Sequence, residues 1–152
     1  MNAGDYFSEK DSIFEFQKYL DDKYAIVYSD FFYLQENDRK MNFHQKGLFK
    51  YNFLLNTLNH QSIFFNAAKA KDIEYDPDFE IAADLDLILK VYLKCGKDEF
   101  FHIKDKCLIT YRPGGISAKK KDVLLAERRK VIKKLPFPRN YLSLLYHYYR
   151  KY

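Results

Sequence analysis

From Ile81 to Lys94 the apolar residues Ile81, Leu85, Ile88, Leu89 and Tyr92 recur at the spacing of one helix face, and Gly96 stands where such a helix stops. On either side of it lie segments of another kind. Tyr24 to Leu34 is dense in β-branched and aromatic residues and reads as a strand, with Glu36-Asn37-Asp38 as its turn. Phe100 to Tyr111 reads as two short strands around Lys104-Asp105-Lys106. An amphipathic helix between strand segments indicates the α/β class. With 152 residues, 47% of them apolar, the chain has material for one packed domain. Aromatics at 18% exclude an intrinsically disordered chain, and five Gly and four Pro exclude collagen-like and low-complexity classes. Cys95 and Cys107 are too few for a disulfide framework or a four-cysteine zinc site, and both are expected to be reduced packing residues in a cytoplasmic protein. Charges interrupt every apolar run short of the ~18 residues of a membrane-spanning helix. Met1 to Asp5 has neither the basic nor the apolar region of a signal peptide, so none is expected.

The remaining segments are read in the same way. Ser8 is expected to cap a helix, with Asp11 three residues on, and Ile13, Phe14, Phe16, Tyr19 and Leu20 as its buried stripe. Leu48 to Leu58 is apolar and ambiguous. His60 to Phe65 reads as a short buried strand, and Asn66 to Asp72 as one or two helical turns. Pro113-Gly114-Gly115 breaks the chain into a loop. Lys119 to Leu135 is expected to be a basic helix ended by Pro136-Phe137-Pro138, and Asn140 to Tyr152 a last helix with Tyr141, Leu145, Tyr148 and Tyr152 on one face.

Charge is unevenly spread. Residues 118–152 hold 11 Lys or Arg against 2 acids, whereas residues 1–117 hold 15 against 19. The formal net charge of +5 therefore belongs to the last 35 residues. An acidic body with a basic, aromatic tail suits an anionic partner at one end; the plainer reading is a solvated helix face.

Within the helix from Ile81, Asp86, Lys90 and Lys94 fall on the wet face, and Asp86 is expected to form a surface ion pair with Lys90, four residues on. Asp84 falls on the apolar side, between Ile88 and Val91. A carboxylate there is costly unless it is paired, lines a cavity or serves chemistry, although its place in the first turn lowers the cost. His60 by itself reads as a hydrogen-bonded buried histidine, and His44, His102 and His147 have no metal-ligand spacing among themselves.

Several runs together resemble the family-two glycosyltransferases with the GT-A fold, the bacterial enzymes of polysaccharide assembly. These runs are Asn2-Ala3-Gly4-Asp5-Tyr6-Phe7, Tyr28-Ser29-Asp30, His60-Gln61-Ser62-Ile63-Phe64-Phe65, Tyr75 to Leu87 and Gly114-Gly115-Ile116-Ser117. The resemblance implies a partial, Rossmann-like GT-A catalytic domain over residues 1–117, with a helical basic tail over 118–152. It implies inverting transfer of a sugar from a nucleotide-sugar donor to a hydroxyl of a lipid-linked or saccharide acceptor, in cell-surface polysaccharide synthesis. By the same resemblance Asp84 is the catalytic base and Asp5 a ligand of a divalent cation, Mg²⁺ or Mn²⁺. Arg112, Gly114, Gly115 and Ser117 lie on the donor-phosphate side, and His60 and Gln61 on the acceptor side. In that family the turn resembling Asn2 to Asp5 follows the first parallel strands of the nucleotide-binding half. The chain is thus expected to be a truncated form, or one piece complemented by an N-terminal half, and on its own to bind nucleotide sugars weakly. A homo-oligomer is a further expectation.

Two alternatives stand beside this reading: a non-catalytic binding module, and an inactive remnant, each with a basic tail that binds a membrane or nucleic acid. The acidic body repels a phosphate backbone, and no nucleic-acid-binding motif is present, so nucleic acid ranks below an anionic membrane surface. The expected location is cytoplasmic, at the inner face of the membrane. Basic residues near an anionic surface contribute ~1 kcal/mol each. The full chain is therefore expected to co-sediment with vesicles in proportion to their anionic lipid content and to be released as salt screens the attraction. Sedimentation indifferent to both lipid charge and salt rejects a membrane role for the tail.

Overall fold

Nine residues, Ile26–Leu34, form the strand on which the rest is assembled (β2). They belong to a computed structural model that describes residues 5–35, 38, 40–45 and 58–136. Strand β2 pairs in parallel with β5 (Phe100–Tyr111) and antiparallel with two others, β3 (Lys40–Phe43) along its second half and β4 (Ile63–Phe65) along its first. A two-residue strand, β1 (Tyr6–Phe7), pairs antiparallel with the far side of β5. The sheet order is β1-β5-β2-β3, with β4 also on β2. The chain is thus mixed α/β, with a mixed parallel and antiparallel sheet.

The two faces of β2 follow from strand alternation. Ile26 and Tyr28 pack with Ile63, Ile88, Val91 and Phe100 on one side, whereas Val27 and Phe31 pack with Phe16, Ile103 and Ile109 on the other. Ile88 and Val91 belong to helix α3 (Ala83–Cys95), and Phe16 to helix α1 (Ser12–Gln17). A parallel strand pair needs a long crossover, and α3 lies within it. It ends as expected at Gly96, whose φ of 82° suits glycine.

Helix α3 has a second packed side. Leu85 and Leu89 meet Val131 and Ile132 of α5 (Lys121–Lys133), together with Phe79 and Leu135. The basic helix expected from Lys119 thus forms as a short α4 (Ile116–Lys119) followed by α5, whose Val131 and Ile132 belong to the core, whereas Ile116 and Val123 are exposed. No helix among the described residues is long and apolar enough to cross a membrane. The expected last helix, from Asn140, lies outside the described residues, as do residues 48–57 of the ambiguous apolar segment.

Four local expectations are corrected. The first helix starts at Ser12, not after Ser8, because Ser8 belongs to the sheet edge: its N–H donates to the Leu108 carbonyl at 3.0 Å and its hydroxyl meets that of Thr110 at 3.1 Å. Of the expected stripe, Phe16 is fully buried, but Ile13, Phe14 and Leu20 are exposed, since a six-residue helix buries only one narrow face. Phe100 to Tyr111 is one strand rather than two. Its extra residues bulge out, so that Ser29 pairs with Ile103 but Asp30 with Cys107. The segment from His60 opens with a 3-10 turn, His60–Ser62, before the short β4, because Asn59 caps it through its side chain. Asn66 caps the single-turn α2 (Ala67–Ala70) in the same manner.

The start of α3 depends on α5. Ala82 occupies the cap position and has no side chain to satisfy the free backbone donors. Glu127 of α5 instead takes the N–H of Ala82 and of the two residues before it, accepting from Glu80, Ile81 and Ala82 at 2.8, 2.9 and 2.8 Å. Its charge also complements the helix dipole. Burial pushes the Glu127 carboxyl up, but the Ala82, Glu80 and Ile81 N–H groups and nearby Lys130 outweigh it and hold the carboxyl below its ordinary range. Glu127→Ala is expected to cost about 2–3 kcal/mol, the scale of leaving buried donors unpaired, read as a lower midpoint in urea unfolding. An unchanged midpoint refutes the distant cap.

Candidate functional site

The sequence-predicted residues come together as two pairs. The first lies at the start of α3. Asp84 is in the first turn, one turn ahead of the residues that meet the sheet, and the 3-10 turn rather than the sheet faces it. Its side chain is 35% exposed. Tyr75 donates its hydroxyl to Oδ1 at 3.1 Å, and Nδ1 of His60 lies 3.3 Å from Oδ2. Burial, with the adjacent Asp84 charge, pushes the Tyr75 phenol up. His60 is exposed, not buried as its setting among apolar residues suggested, whereas its neighbour Gln61 is buried. The catalytic candidate and one acceptor-side candidate are therefore in contact, with a carboxylate oxygen and an imidazole open to solvent.

Asp86 departs from expectation. Its pair with Lys90 exists, with Nζ 2.9 Å from Oδ2, but the carboxylate is 0% exposed. A helical wheel cannot see α5, which brings Lys134 over this side. Lys134 Nζ donates to Oδ1 of Asp86 at 2.6 Å and to Oδ2 of Asp76 at 3.2 Å. Among the described residues Asp86 Oδ2 has no hydrogen-bond partner, and Lys90 meets it as an ion pair. Burial lowers the Lys134 ammonium, but Asp86 and Asp76 more than offset it and raise it above its ordinary range. The buried carboxylate of α3 is thus Asp86, in a structural ion pair, and the accessible one is Asp84.

The second pair lies at the end of β5. Because β1 pairs Tyr6 with Thr110, Asp5 meets Arg112, whose backbone N–H donates to Asp5 Oδ1 at 2.9 Å. The other oxygen, Oδ2, is buried and has no hydrogen-bond partner among the described residues. The Arg112 side chain reaches Asp38, with Nη2 3.6 Å from Oδ1. Gly114 follows with a φ of 109°, which a side chain would strain, and no atom lies within 4 Å of where a Cβ would stand at Gly114 or Gly115. Ser117 is half-buried in α4. Asn2, Ala3 and Gly4 lie outside the described residues.

A third group was not read from spacing. Asp30, in mid-strand and 1% exposed, accepts four hydrogen bonds. Oδ1 takes His102 Nε2 at 2.7 Å and the Gln45 N–H at 2.9 Å; Oδ2 takes His44 Nδ1 at 2.9 Å and the Asp105 N–H at 3.0 Å. His44 and His102, which show no ligand spacing in sequence, thus meet on one carboxylate. Spacing along a chain misses them because β2, β5 and the segment after β3 each supply one member. The readable signal was a lone charge inside the apolar run Tyr24 to Leu34. Gln45 extends the group: its Nε2 donates to the Ser29 carbonyl and, at 2.7 Å, to the Ser62 hydroxyl, and its Oε1 accepts from the Asn59 N–H at 2.9 Å. His102 stacks on Tyr28 with ring centroids 4.5 Å apart. Tyr28, Asp30, His44, Gln45, His102 and Asp105 line a cleft of about 430 Å³. Burial pushes the Asp30 carboxyl up, but the Gln45 N–H, both imidazoles and the Asp105 N–H more than offset it and hold it below its ordinary range.

No protein-family model, curated protein or solved structure matches the chain. Chemical roles for these residues therefore rest on their geometry. A carboxyl held low when folded stabilises fully above its unfolded pKa, near 3.8 for Asp30, and loses that contribution as pH falls through the folded value. Asp30→Ala is expected to cost about 3–5 kcal/mol at neutral pH. Its deficit against the unchanged chain should shrink as the medium is acidified below pH 4, and a deficit constant with pH refutes the assigned charge.

Proposed function

We propose that the chain is the base-bearing part of an inverting glycosyltransferase of GT-A type, moving a sugar from a nucleotide-sugar donor to an acceptor hydroxyl. The observation that carries the reading is the Asp84 carboxylate, half-exposed at the start of α3, with Tyr75 and His60 against its two oxygens. The contacts orient the carboxylate and leave it reachable. In the transfer, the acceptor oxygen attacks the anomeric carbon, the bond from that carbon to the diphosphate oxygen breaks, and Asp84 takes the hydroxyl proton. His60, against Oδ2, positions the carboxylate.

The divalent cation of this reading fits Asp5. A buried carboxylate oxygen without a hydrogen-bond partner is a ready hard-cation ligand, and Mg²⁺ commonly uses one or two carboxylates plus substrate phosphates. When bound, the cation supplies charge neutralisation for the departing diphosphate. Arg112 holds Asp5 through its backbone N–H, and the Gly114-Gly115 turn leaves open space beside it for phosphate. The mixed sheet, with helices on both faces, accommodates the GT-A reading. A lipid-linked acceptor would locate the enzyme in the cytoplasm, at the inner face of the membrane.

Two isosteric variants test the proposal. Asp84→Asn is expected to lower sugar transfer from a panel of UDP- and GDP-sugars with Mn²⁺ by ~10²–10⁴-fold, with its melting temperature unchanged. Asp86→Asn is expected to lower the melting temperature, because it leaves Lys134 and Lys90 facing a neutral group, and to spare turnover by the fraction that remains folded. Equal transfer by the Asp84→Asn protein and the unchanged chain, or equal loss in the Asp84→Asn and Asp86→Asn proteins, overturns the reading.

A further inference from the structure

We infer that Asp30, His44 and Asp105 form a binding site for one borderline divalent transition ion of the Zn²⁺ class, separate from the Asp5 carboxylate. Each of the three residues offers one ligand atom, and these atoms all lie within 4.8 Å of one another. Nδ1 lies 2.9 Å from the Asp30 oxygen and 3.7 Å from the Asp105 oxygen. Tetrahedral ligands about 2.0–2.1 Å from an ion stand about 3.3 Å apart, so the two separations bracket the required edge. One imidazole with two carboxylates is a donor set for ions between the hard and the soft, and three protein ligands leave a position open.

The surroundings are those of a built site. The inner ligand, Asp30, is fixed by its other oxygen, which accepts from His102 Nε2 and the Gln45 N–H, and His102 is itself clamped by stacking on Tyr28. Such outer partners set the orientation of a metal ligand. The outer ligand, Asp105, is presented by the β5 bulge, whose Asp105 φ of 60° turns the chain back over Asp30 so that its N–H reaches Oδ2. All three ligands line the 430 Å³ cleft, which gives an ion a path from solvent. Binding replaces the His44 hydrogen bond to Asp30: the ion takes the place of the proton between Nδ1 and Oδ2, and the neutral imidazole then carries its proton on Nε2. Lys104 lines the same cleft, and its charge matches an anionic ligand in the open position.

The test uses the full chain. After dialysis against chelator, titration with Zn²⁺ and with Co²⁺ is expected to show one ion per chain and a Co²⁺ absorption band of a low-coordinate N/O site. Mg²⁺ should not compete at equal concentration. His44→Ala and Asp105→Ala alter exposed side chains and leave Asp30 in place; each is expected to weaken Zn²⁺ binding at least tenfold while the protein stays folded by circular dichroism. Asp5→Ala is expected to leave Zn²⁺ affinity unchanged. No stoichiometric binding, or binding that survives both the His44→Ala and Asp105→Ala changes, overturns the inference. So does loss of binding in Asp5→Ala, which assigns the ion to the other carboxylate.

Discussion

A carboxylate buried in the middle of a central strand is tolerable only when it is fully satisfied, and Asp30 shows what that requirement does to the surrounding chain. It has four acceptor positions and fills them from three places: His102 on β5, the Asp105 N–H in the β5 bulge, and His44 and Gln45 after β3. The bulge is the geometric consequence. A regular β5 would present a backbone already committed to the ladder, whereas the displaced residues free the Asp105 N–H to turn inward. Gln45 then ties this group to Ser29, Asn59 and Ser62, and so to the 3-10 turn that carries His60. The position of His60 beside Asp84 thus depends, through Gln45, on the charge in β2.

The other support of the Asp84 site comes from α5. Glu127 satisfies the backbone donors just before α3, and Lys134 covers Asp86 one half-turn further on. Both contacts are charge-assisted and largely shielded from solvent, which makes them stronger than the surface pairs formed elsewhere, such as Lys23 with Asp21. The helix called basic from its composition is therefore amphipathic in a specific sense. Lys121, Arg129, Lys130 and Lys133 are exposed, while Glu127, Val131 and Ile132 hold α3 in place.

Much of the fold was legible because its main elements are long and periodic. The strand from Tyr24, the helix ending at Gly96 and the basic helix from Lys119 each had a full pattern to read. Short pieces were not legible. Strand β1 has two residues, and pairing with β5 rather than propensity determines it, which is why Ser8 read as a helix cap. The helical wheel put Asp84 on the apolar side and Asp86 on the wet face, and the structure reverses their burial, because a wheel cannot say what lies opposite each. The packing of α5 buries Asp86, and the 3-10 turn and Tyr75 give Asp84 its partners.

Three aspartates of similar intrinsic acidity thus serve three different ends, and their surroundings decide which. Asp30 is surrounded by donors on every lone pair and acts as a structural anion. Asp86 faces two ammonium groups in a dry space, where its charge is cancelled rather than offered. Asp84 has a phenol and an imidazole beside it and a third of its surface in water. A general base needs an accessible lone pair, and of the three carboxylates Asp84 is the accessible one. This is a stronger reason to assign the chemistry to Asp84 than its place on a helical wheel. The wheel argued from the cost of burying it, whereas the structure leaves it accessible and spends the burial on its neighbour two residues later.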